Sequence, residues 1–419
     1  MPWKDTNVMN LRTKFVLRAF QNELPFRVLC REYGISAKTG YKWKERFFHN
    51  GIDGLRDQSR RPRRHPNQLA EAETCQCIRI KLAHRSWGPK KIRELFARQC
   101  PEFDVPSLST VKRILDKVGL VEHRRRRRPE SCGRIINSVN AERPNHVWTV
   151  DFKGWWYDAE NARVEPLTVR DAYSRYILCA QITENGKSDT VRQRFERLFA
   201  EYGLPEIIRS DNGSPFACTR APLGLSRLSA WWVALGIHLD RIRPGHPEEN
   251  GGHERMHKDI AMELEGGIHG DIVAQQAALE TWTREFNRER PHEALGMRVP
   301  SDMYVPSSRR YDPSEIEMSY PSDCLRRKVN TVGVIRIHGR SIGISTALSG
   351  WDVGLKPTGL SRYSVWFGPL CLGELDWEIE SFQAARQNAE GGAPPHTPGF
   401  SALTSEAGDE TGKKEESAL

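Results

Sequence analysis

Two aspartates interrupt short runs of apolar and β-branched residues, and these interruptions constrain the fold more than any other feature of the sequence. Val147–Phe152 is typical of a β-strand and contains Asp151. Residues 206–210 form a second predicted strand, and Asp211 begins the Asp-Asn-Gly turn that ends it. Burying an unpaired carboxylate is costly. Each strand is therefore expected to place its aspartate beside a cation or a hydrogen-bond donor.

A third carboxylate, Glu254, begins a predicted helix. Residues 244–253 contain Pro, Gly and Asn and are typical of a loop, whereas residues 254–264 carry an apolar residue at every fourth position. Lys258 lies one turn after Glu254, so both side chains project from the same helix face. The three carboxylates come from three separate elements and can meet only if the fold brings them together.

Carboxylate oxygens are the ligands that Mg²⁺ and Mn²⁺ prefer. Two such ions about 3.5–4 Å apart can activate an attacking oxygen and stabilise a leaving oxygen in a displacement at phosphorus. Taken singly, each aspartate reads as an ordinary turn or capping residue, but the three contexts together favour a metal site. His246, His253 and His257 surround Glu254, but their spacing does not match a zinc motif.

These segments resemble the catalytic core of the DDE insertion-sequence transposases, which are related to retroviral integrases. Asp151 matches the aspartate of the first strand, and Asp211 matches the second aspartate in its Ser-Asp-Asn-Gly context. Glu254 matches the glutamate that follows an Asn-Pro-(two residues)-Gln-Gly type of loop, here residues 246–251. Lys258 matches a basic position that contacts DNA.

The resemblance implies a ribonuclease-H-like α/β core with a mixed sheet and helices, and the activity of a polynucleotidyl transferase. It implies that Asp151, Asp211 and Glu254 bind two Mg²⁺ ions, for which Mn²⁺ can substitute. Metal-activated water then cuts the 3′ ends of a mobile element, and strand transfer joins these ends to target DNA. The partners are double-stranded DNA, as element ends and as target, and further copies of the chain, because two ends must be joined together.

The chain departs from the family in the interval between its second and third carboxylates. Here 42 residues separate Asp211 from Glu254, more than is usual. We assign the surplus to the irregular stretch 216–224, where an insertion is tolerable. Glu248 and Glu249 are rivals for the third carboxylate, but they lie in the loop and do not match the motif position.

Charge is distributed unevenly along the chain. Residues 1–140 carry 31 Lys and Arg against 14 Asp and Glu, a net charge of +17, whereas the whole chain carries +9. The front third is therefore expected to bind a polyanion. The nine cysteines form no regular framework, and neither a signal peptide nor a membrane span is evident. These features predict reduced thiols, no membrane partner and a cytoplasmic, nucleoid-associated protein.

Residues 1–58 are predicted to form a helix-turn-helix domain. Helices are expected at residues 10–21, 26–33 and 37–50, with a Gly-containing turn before Ser36, which caps the third helix. Lys38, Thr39 and Lys42 would face the major groove or its phosphates. A generic three-helix domain with a solvated basic face is the alternative.

Two basic segments flank a second helical domain, predicted at residues 69–122. In that domain the helix over residues 110–118 presents Lys112 and Arg113 to DNA. The linker at residues 59–68 and the connector at residues 123–140 are rich in arginine, which suits phosphates, although each segment could also be only a solvated spacer. Their candidate DNA-binding residues are Arg60, Arg61, Arg63, Arg64, Arg124, Arg125 and Arg126.

The catalytic core is predicted at residues 141–305. Two further strands, at residues 163–170 and 176–182, flank Asp171, which we expect to be structural because it matches no metal position. Helices are expected at residues 188–202, 229–235 and 272–288. Alternating residues at 323–376 predict a small β-barrel, and the composition of residues 383–419 predicts a disordered tail.

The sequence thus predicts a transposase of a bacterial-type insertion sequence. One alternative is a sequence-specific DNA-binding regulator with an inactive core, which would bind DNA without cutting it. Another is a metal-dependent nuclease that cuts without joining. The sequence indicates neither the terminal repeats, the target preference, the number of subunits nor any accessory protein.

Overall fold

A computed structural model describes residues 7–59, 69–121, 139–183, 188–265, 270–314, 316 and 318–385. It divides into two compact units, residues 1–70 and residues 71–419. Some of the predicted DNA-binding residues lie outside the described residues, together with nearly all of the predicted tail. These are Arg60, Arg61, Arg63, Arg64, Arg124, Arg125 and Arg126.

The first unit is a three-helix domain. Its helices are α1 (Val8–Gln21), α2 (Phe26–Glu32) and α3 (Ala37–Asn50). Ser36 caps α3 as predicted, because its hydroxyl accepts a hydrogen bond of 3.2 Å from the backbone N–H of Thr39. Gly40 lets α3 pack closely, since a Cβ there would lie 2.6 Å from Cys30 Sγ. Phe15 and Trp43 are buried in the resulting core.

The second unit begins with another three-helix domain. Its helices are α4 (Glu71–Ala83), α5 (Pro89–Gln99) and α6 (Leu108–Lys117). Ser107 caps α6 by accepting a 3.2 Å hydrogen bond from the N–H of Thr110. The buried residues of this domain include Ile92, Phe96 and Val111. Its third helix leaves its basic residues on the outside.

A five-stranded mixed sheet follows. Its strands are β1 (Val147–Phe152), β4 (Pro166–Asp171), β5 (Ile177–Ile182), β6 (Ile207–Ser210) and β7 (His238–Arg241), in the order β5-β4-β1-β6-β7. β1, β4 and β5 pair antiparallel, whereas β6 lies parallel to β1 and β7 parallel to β6. A two-stranded hairpin, β2 (Trp156–Tyr157) and β3 (Arg163–Val164), follows β1. β2 was not predicted, and the single strand predicted at residues 163–170 is divided into β3 and β4.

Helices cover both faces of the sheet. They are α7 (Ser188–Tyr202), α8 (Arg227–Ala234), α9 (Gly251–Ile260) and α10 (Ile272–Arg288). One buried cluster lies under α7 and α8 and contains Trp231 and Trp232, which are fully buried. Another joins α9 and α10 to the sheet through Met256 and Trp282. α9 begins three residues before its predicted start and continues as a π-helical turn, Ala261–Glu265.

The last domain is a small antiparallel β-structure. Its strands are β8 (Leu325–Lys328), β9 (Val334–Ile337), β10 (Arg340–Gly343), β11 (Asp352–Pro357), β12 (Arg362–Phe367), β13 (Leu370–Asp376) and β14 (Ser381–Ala384). Five strands form one sheet, and β9 and β10 lie against its two edges and close it into a barrel. β14 pairs with β13, so the domain extends past the predicted end at residue 376 and into the predicted tail. The barrel shares a buried cluster with Ala230 and Val233 of α8.

The fold class expected from the sequence is confirmed. All-α domains precede a mixed-sheet α/β core, and an antiparallel β-domain follows it. Among the described residues, no helix combines the length and apolarity that crossing a membrane requires.

Candidate active site

Asp151 and Asp211 lie at the same edge of the central sheet. Asp151 is the fifth residue of β1, and Asp211 directly follows β6. Since β1 and β6 are parallel neighbours, their carboxyl ends meet at this edge. Glu254 lies in the first turn of α9, which packs against the same sheet. The three predicted carboxylates therefore come from three elements that converge.

The three side chains interact electrostatically. Burial, together with the negative charges of Asp211 and Glu254, raises the pKa of Asp151 to about 7. One carboxylate oxygen of Asp211, Oδ1, is buried and has no hydrogen-bond partner. A Cβ at position 213 would lie 2.8 Å from Asp211 Oδ2, so glycine there leaves room for this side chain. A divalent cation would neutralise this group of negative charges, which has few hydrogen-bond donors nearby.

These carboxylates do not form a complete metal cage. Within the described ranges, no three His, Cys, Asp or Glu side chains are placed to hold a metal ion together. The chemistry of the site nevertheless fits a hard cation, because the ligands are carboxylates and Asp211 Oδ1 is buried without a partner. Asp151, Asp211 and Glu254 are the residues that could bind it after side-chain adjustment.

A network of hydrogen bonds connects α9 to the strand that carries Asp151. Thr168 lies opposite Asp151 in the β1–β4 pair, and its hydroxyl donates a 2.9 Å hydrogen bond to the carbonyl of Asp151. The same oxygen lies 2.7 Å from Nε2 of His253 and 2.8 Å from Nε2 of His257. The hydroxyl is therefore within hydrogen-bonding distance of both imidazoles as well as of the Asp151 carbonyl. We call Thr149, Thr168, His253 and His257 the Thr168 network.

The two histidines of the Thr168 network are neutral. Burial lowers the pKa of His253 well below its usual value and lowers that of His257 to about 4, with further contributions from neighbouring positive charges. The Thr149 hydroxyl lies 2.8 Å from Nδ1 of His253 and 3.3 Å from the carbonyl of Arg170. These bonds fix the first turn of α9, and hence the backbone of Glu254, against β1 and β4.

A buried arginine provides a second connection. Arg170 of β4 is 5% exposed, and its guanidinium donates to the carbonyl of Gly252 at the start of α9. A Cβ at position 252 would overlap that guanidinium, so the close approach requires glycine. Burial lowers the pKa of Arg170 to about 9.

One of the two rivals for the third carboxylate has a structural role. The carboxylate of Glu249 accepts hydrogen bonds from the Nε of Arg243, at 2.6 Å, and from its backbone N–H, at 2.9 Å. These contacts hold the pKa of Glu249 below its usual value against the effect of burial. Glu249 therefore closes the loop before α9 and is not free to bind a metal ion.

Asp171 is structural, as predicted. Its side chain is fully buried and accepts hydrogen bonds from the N–H groups of Asn145 and Ser174, at 2.8 and 2.7 Å. A third hydrogen bond comes from the Ser174 hydroxyl. We call Asp171 with these partners the anchor site. It fixes the β4–β5 turn and the segment that leads into β1.

The long interval between Asp211 and Glu254 contains a closed loop. Ala217 and Leu225 form an isolated antiparallel bridge, and the N–H of Cys218 donates a 2.9 Å hydrogen bond to the carbonyl of Gly224. Asn212 Nδ2 separately donates to the carbonyl of Ile242 at 2.7 Å, which fixes the turn that carries Asp211. The two ends of residues 216–224, to which we assign the surplus residues, therefore lie close together.

The described DNA-contact candidates are mostly accessible. Lys38 and Lys42 are exposed on α3, and Lys258 is exposed on α9. Thr39 is partly buried, and its hydroxyl lies 2.9 Å from the capping oxygen of Ser36. Thr39 thus contributes to the helix cap as well as to the predicted DNA-facing surface.

In the second helical domain, Lys112 and Arg113 are exposed on α6. Val111 and Leu115 of the same helix are fully buried. The two basic residues therefore lie on the side of α6 that faces away from the domain core. This placement is compatible with their predicted contact with DNA.

Sequence reasoning missed the residues that position the carboxylates. Thr168, His253 and Arg170 are all buried and polar. Thr168 and Arg170 alternate with apolar residues in a strand, and His253 precedes Glu254, but such positions in a sequence do not reveal their partners. Only the pairing of β1 with β4 and the packing of α9 bring them together.

Comparisons with known proteins define the class. Two family models described as integrase core domain match residues 141–247 and 235–300. A homeodomain-like family model matches residues 39–115, and a helix-turn-helix model matches residues 11–63. The chain thus contains regions similar to helix-turn-helix domains and a region similar to an integrase core domain.

A relative from a mobile element is also similar to this chain. It is the insertion element IS407 uncharacterized 31.7 kDa protein of Burkholderia multivorans, 26% identical over 243 residues, which cover 57% of this chain and 81% of the relative. With the integrase-core matches, this confirms the resemblance to insertion-sequence transposases that have a retroviral-integrase-type core.

Two solved structures are similar at low identity. The catalytic core domain of HTLV-2 integrase in complex with magnesium, in a trimeric form, is 14% identical with a TM-score of 0.30 and covers 40% of this chain and all of that one. The simian T-cell lymphotropic virus intasome in complex with the PP2A regulatory subunit B56 gamma is 13% identical with a TM-score of 0.33. It covers 74% of this chain and 99% of that one.

Proposed function

We propose that this protein is the transposase of an insertion sequence, and that Asp151, Asp211 and Glu254 are its catalytic residues. One observation carries the proposal. Burial, together with the charges of Asp211 and Glu254, raises the pKa of Asp151, and a buried oxygen of Asp211 lacks a hydrogen-bond partner. Such a cluster of like charges destabilises the fold unless it serves a ligand.

The chain's own residues have separable roles in this reaction. Asp151, Asp211 and Glu254 would hold two Mg²⁺ or Mn²⁺ ions, which supply the positive charge that phosphoryl transfer requires. The Thr168 network and Arg170 hold the Glu254 helix against the strand of Asp151. Exposed Lys258, one turn after Glu254, is placed to bind a DNA phosphate beside the site.

Recognition is assigned to the two helical domains. Lys38, Thr39 and Lys42 on α3 and Lys112 and Arg113 on α6 would contact the terminal repeats of the element. We include in this proposal the domain boundaries predicted from the sequence. We also include the predicted contacts of the arginine-rich segments with DNA phosphates. Since two element ends must be joined to one target, the active form is a homo-oligomer assembled on DNA.

The test uses a labelled duplex that carries the terminus of the element encoding the protein. Purified wild-type protein is incubated with it and target DNA in Mg²⁺ or Mn²⁺, beside Asp151→Asn and Glu254→Gln variants. We expect nicking at the terminus and longer joined products, and neither from the variants. Cutting without joining would favour a nuclease, and binding without cutting would favour a regulator with an inactive core.

A further inference from the structure

Arg290, which follows α10, is an almost fully buried arginine that the proposed reaction does not use. It is 1% exposed, and its guanidinium binds Glu263 and lies 3.3 Å from Asp259 Oδ2 and 3.6 Å from Glu285 Oε1. Asp259 belongs to α9 and Glu263 to its π-helical continuation. Arg290 thus neutralises carboxylates on the same helix that carries Glu254.

The same guanidinium contacts the second helical domain. Its Cζ lies 5.6 Å from the ring centroid of Trp87, two residues before α5, and 5.4 and 5.3 Å from the rings of Trp282 and Phe286 on α10. Trp87 is 2% exposed and stacks on His84, whose Nδ1 lies 3.2 Å from Glu285 Oε1. Arg290 is therefore enclosed by aromatic rings from both the helical domain and the catalytic core.

Polar contacts extend this interface on both sides of Arg290. The Ser86 hydroxyl donates to Glu263 Oε1 at 2.5 Å, and Lys90 Nζ lies 2.6 Å from Glu293 Oε2. Farther along α5, Arg98 donates to the carbonyl of Met297 at 2.8 Å. These contacts come from the α4–α5 loop and from α5, whereas Lys112 and Arg113 of α6 are exposed.

We propose that Arg290 is a positioning residue that docks the second helical domain on the catalytic core and thereby sets which phosphodiester is cut. A domain held only by a flexible connector would present bound DNA at variable distances from the carboxylates. A domain docked through a buried guanidinium holds the bound DNA at one distance from the carboxylates. This inference rests on the proposed function, because it concerns the DNA strand that the carboxylates would cleave.

The docking itself is tested by crosslinking, independently of cleavage. Lys90→Cys and Glu293→Cys are introduced together, with the exposed Cys75 and Cys218 replaced by serine, and a short bis-maleimide is added before and after the terminal duplex. We expect the same crosslink in both states, and a lower yield when Arg290→Lys is added, because lysine cannot form the forked contacts. A crosslink that disappears when DNA binds would overturn the docking.

The cut position is tested by mapping cleavage at nucleotide resolution. Arg290→Lys is expected to raise the share of cuts at neighbouring phosphodiesters roughly 5- to 30-fold, the effect of weakening the docked state by a modest contact. The matched control is Arg309→Lys, a partly buried arginine that donates only to carbonyls of the core, those of Pro205, Leu235 and Gly236. It is expected to leave the cut position unchanged.

An unchanged distribution in Arg290→Lys, or equal spreading in both variants, would overturn the role in cut-site selection. Circular dichroism and melting temperature establish that each variant is folded. If the wild-type protein makes no cut in Mg²⁺ or Mn²⁺, the proposed function fails and cut-site selection fails with it. The crosslinking result still decides whether the domain is docked.

Discussion

Two aspartates, the partly buried Asp151 and the fully buried Asp171, lie near opposite ends of the β1–β4 strand pair and illustrate different uses of a carboxylate. Asp171 of the anchor site pairs in register with Trp148, and Asp151 pairs with Thr168 three residues further on. Burial raises the pKa of both. Asp171 accepts three hydrogen bonds from its surroundings, whereas Asp151 faces the charges of Asp211 and Glu254. Burial alone therefore does not separate a structural carboxylate from a candidate catalytic one, but hydrogen-bond partners do.

The largest expected difference between the two aspartates is in activity. Asp151→Asn and Asp211→Asn should each reduce DNA cleavage by roughly 1000-fold or more, equivalent to about 4 kcal/mol of transition-state stabilisation. Both variants should melt at or above the wild-type temperature in the absence of metal, since each removes one of three like charges. The control, Glu196→Gln, changes an exposed carboxylate of α7 that pairs with Arg192. Cleavage within tenfold of wild type by either variant would contradict the assignment.

The pH dependence of stability should reveal the strain at Asp151. Its pKa is about 7 in the folded protein and about 3.9 in an unfolded chain. The folded state therefore binds the proton more tightly, and its stability falls as pH rises from about 4 to 7. The loss is at most about 4 kcal/mol from this group. It is measured by denaturant titration of the metal-free protein across this pH range.

The matched variant for the pH prediction is Asp151→Asn, which removes this contribution but leaves that of Asp171. The difference in stability between wild type and variant should grow with pH and disappear below pH 4. Adding Mg²⁺ should stabilise the wild type more than the variant. A difference independent of pH would mean that Asp151 is not strained.

The surroundings of each aspartate were predictable from the sequence only where local sequence pattern determines them. The strand of Asp151, the strand before Asp211 and the cap Ser36 depend on local pattern, and the structure bears them out. The structural role of Asp171 was also predicted, but only by elimination. Its actual donors, Asn145 and Ser174, come from the segment before β1 and from the β4–β5 turn.

What the sequence could not predict depends on tertiary contacts. The role of Glu249 depends on Arg243, which reaches it only because the loop folds back. The buried Arg290 reads in sequence as one more charged residue at a helix end. β2 has only two residues, too few for an alternating pattern to appear, and only its pairing separates β3 from β4.

Removing the anchor carboxylate should affect stability rather than chemistry. Asp171→Ala leaves the N–H groups of Asn145 and Ser174 buried without an acceptor, which costs about 1–3 kcal/mol for each such group. We expect the core to lose roughly 3 kcal/mol of unfolding free energy, measured by denaturant titration. Asp171→Asn, which keeps one acceptor oxygen, should lose less. Equal stability of Asp171→Ala and wild type would remove the distinction between the two aspartates.

The smallest expected effect concerns the Thr168 network. Thr168→Val keeps the shape of the side chain but removes the hydroxyl that joins both histidines to the Asp151 carbonyl. We expect cleavage to fall roughly 10- to 100-fold, the cost of a small misplacement of catalytic groups, and to need more Mg²⁺ for half-maximal rate. Thr168→Ser retains the hydroxyl and should remain close to wild type. If both variants cleave equally, the hydroxyl does not position the site.

The central claim is that Asp151 and Asp211 bind a divalent cation and that Asp171 does not. The most direct measurement is anomalous diffraction from crystals of the protein soaked in Mn²⁺. We predict a peak roughly 2.0–2.4 Å from carboxylate oxygens of both Asp151 and Asp211, in the range expected for a hard cation with oxygen ligands, and none at Asp171. An ordered site without a peak between the two aspartates, or a peak that contacts neither of them, would contradict the account.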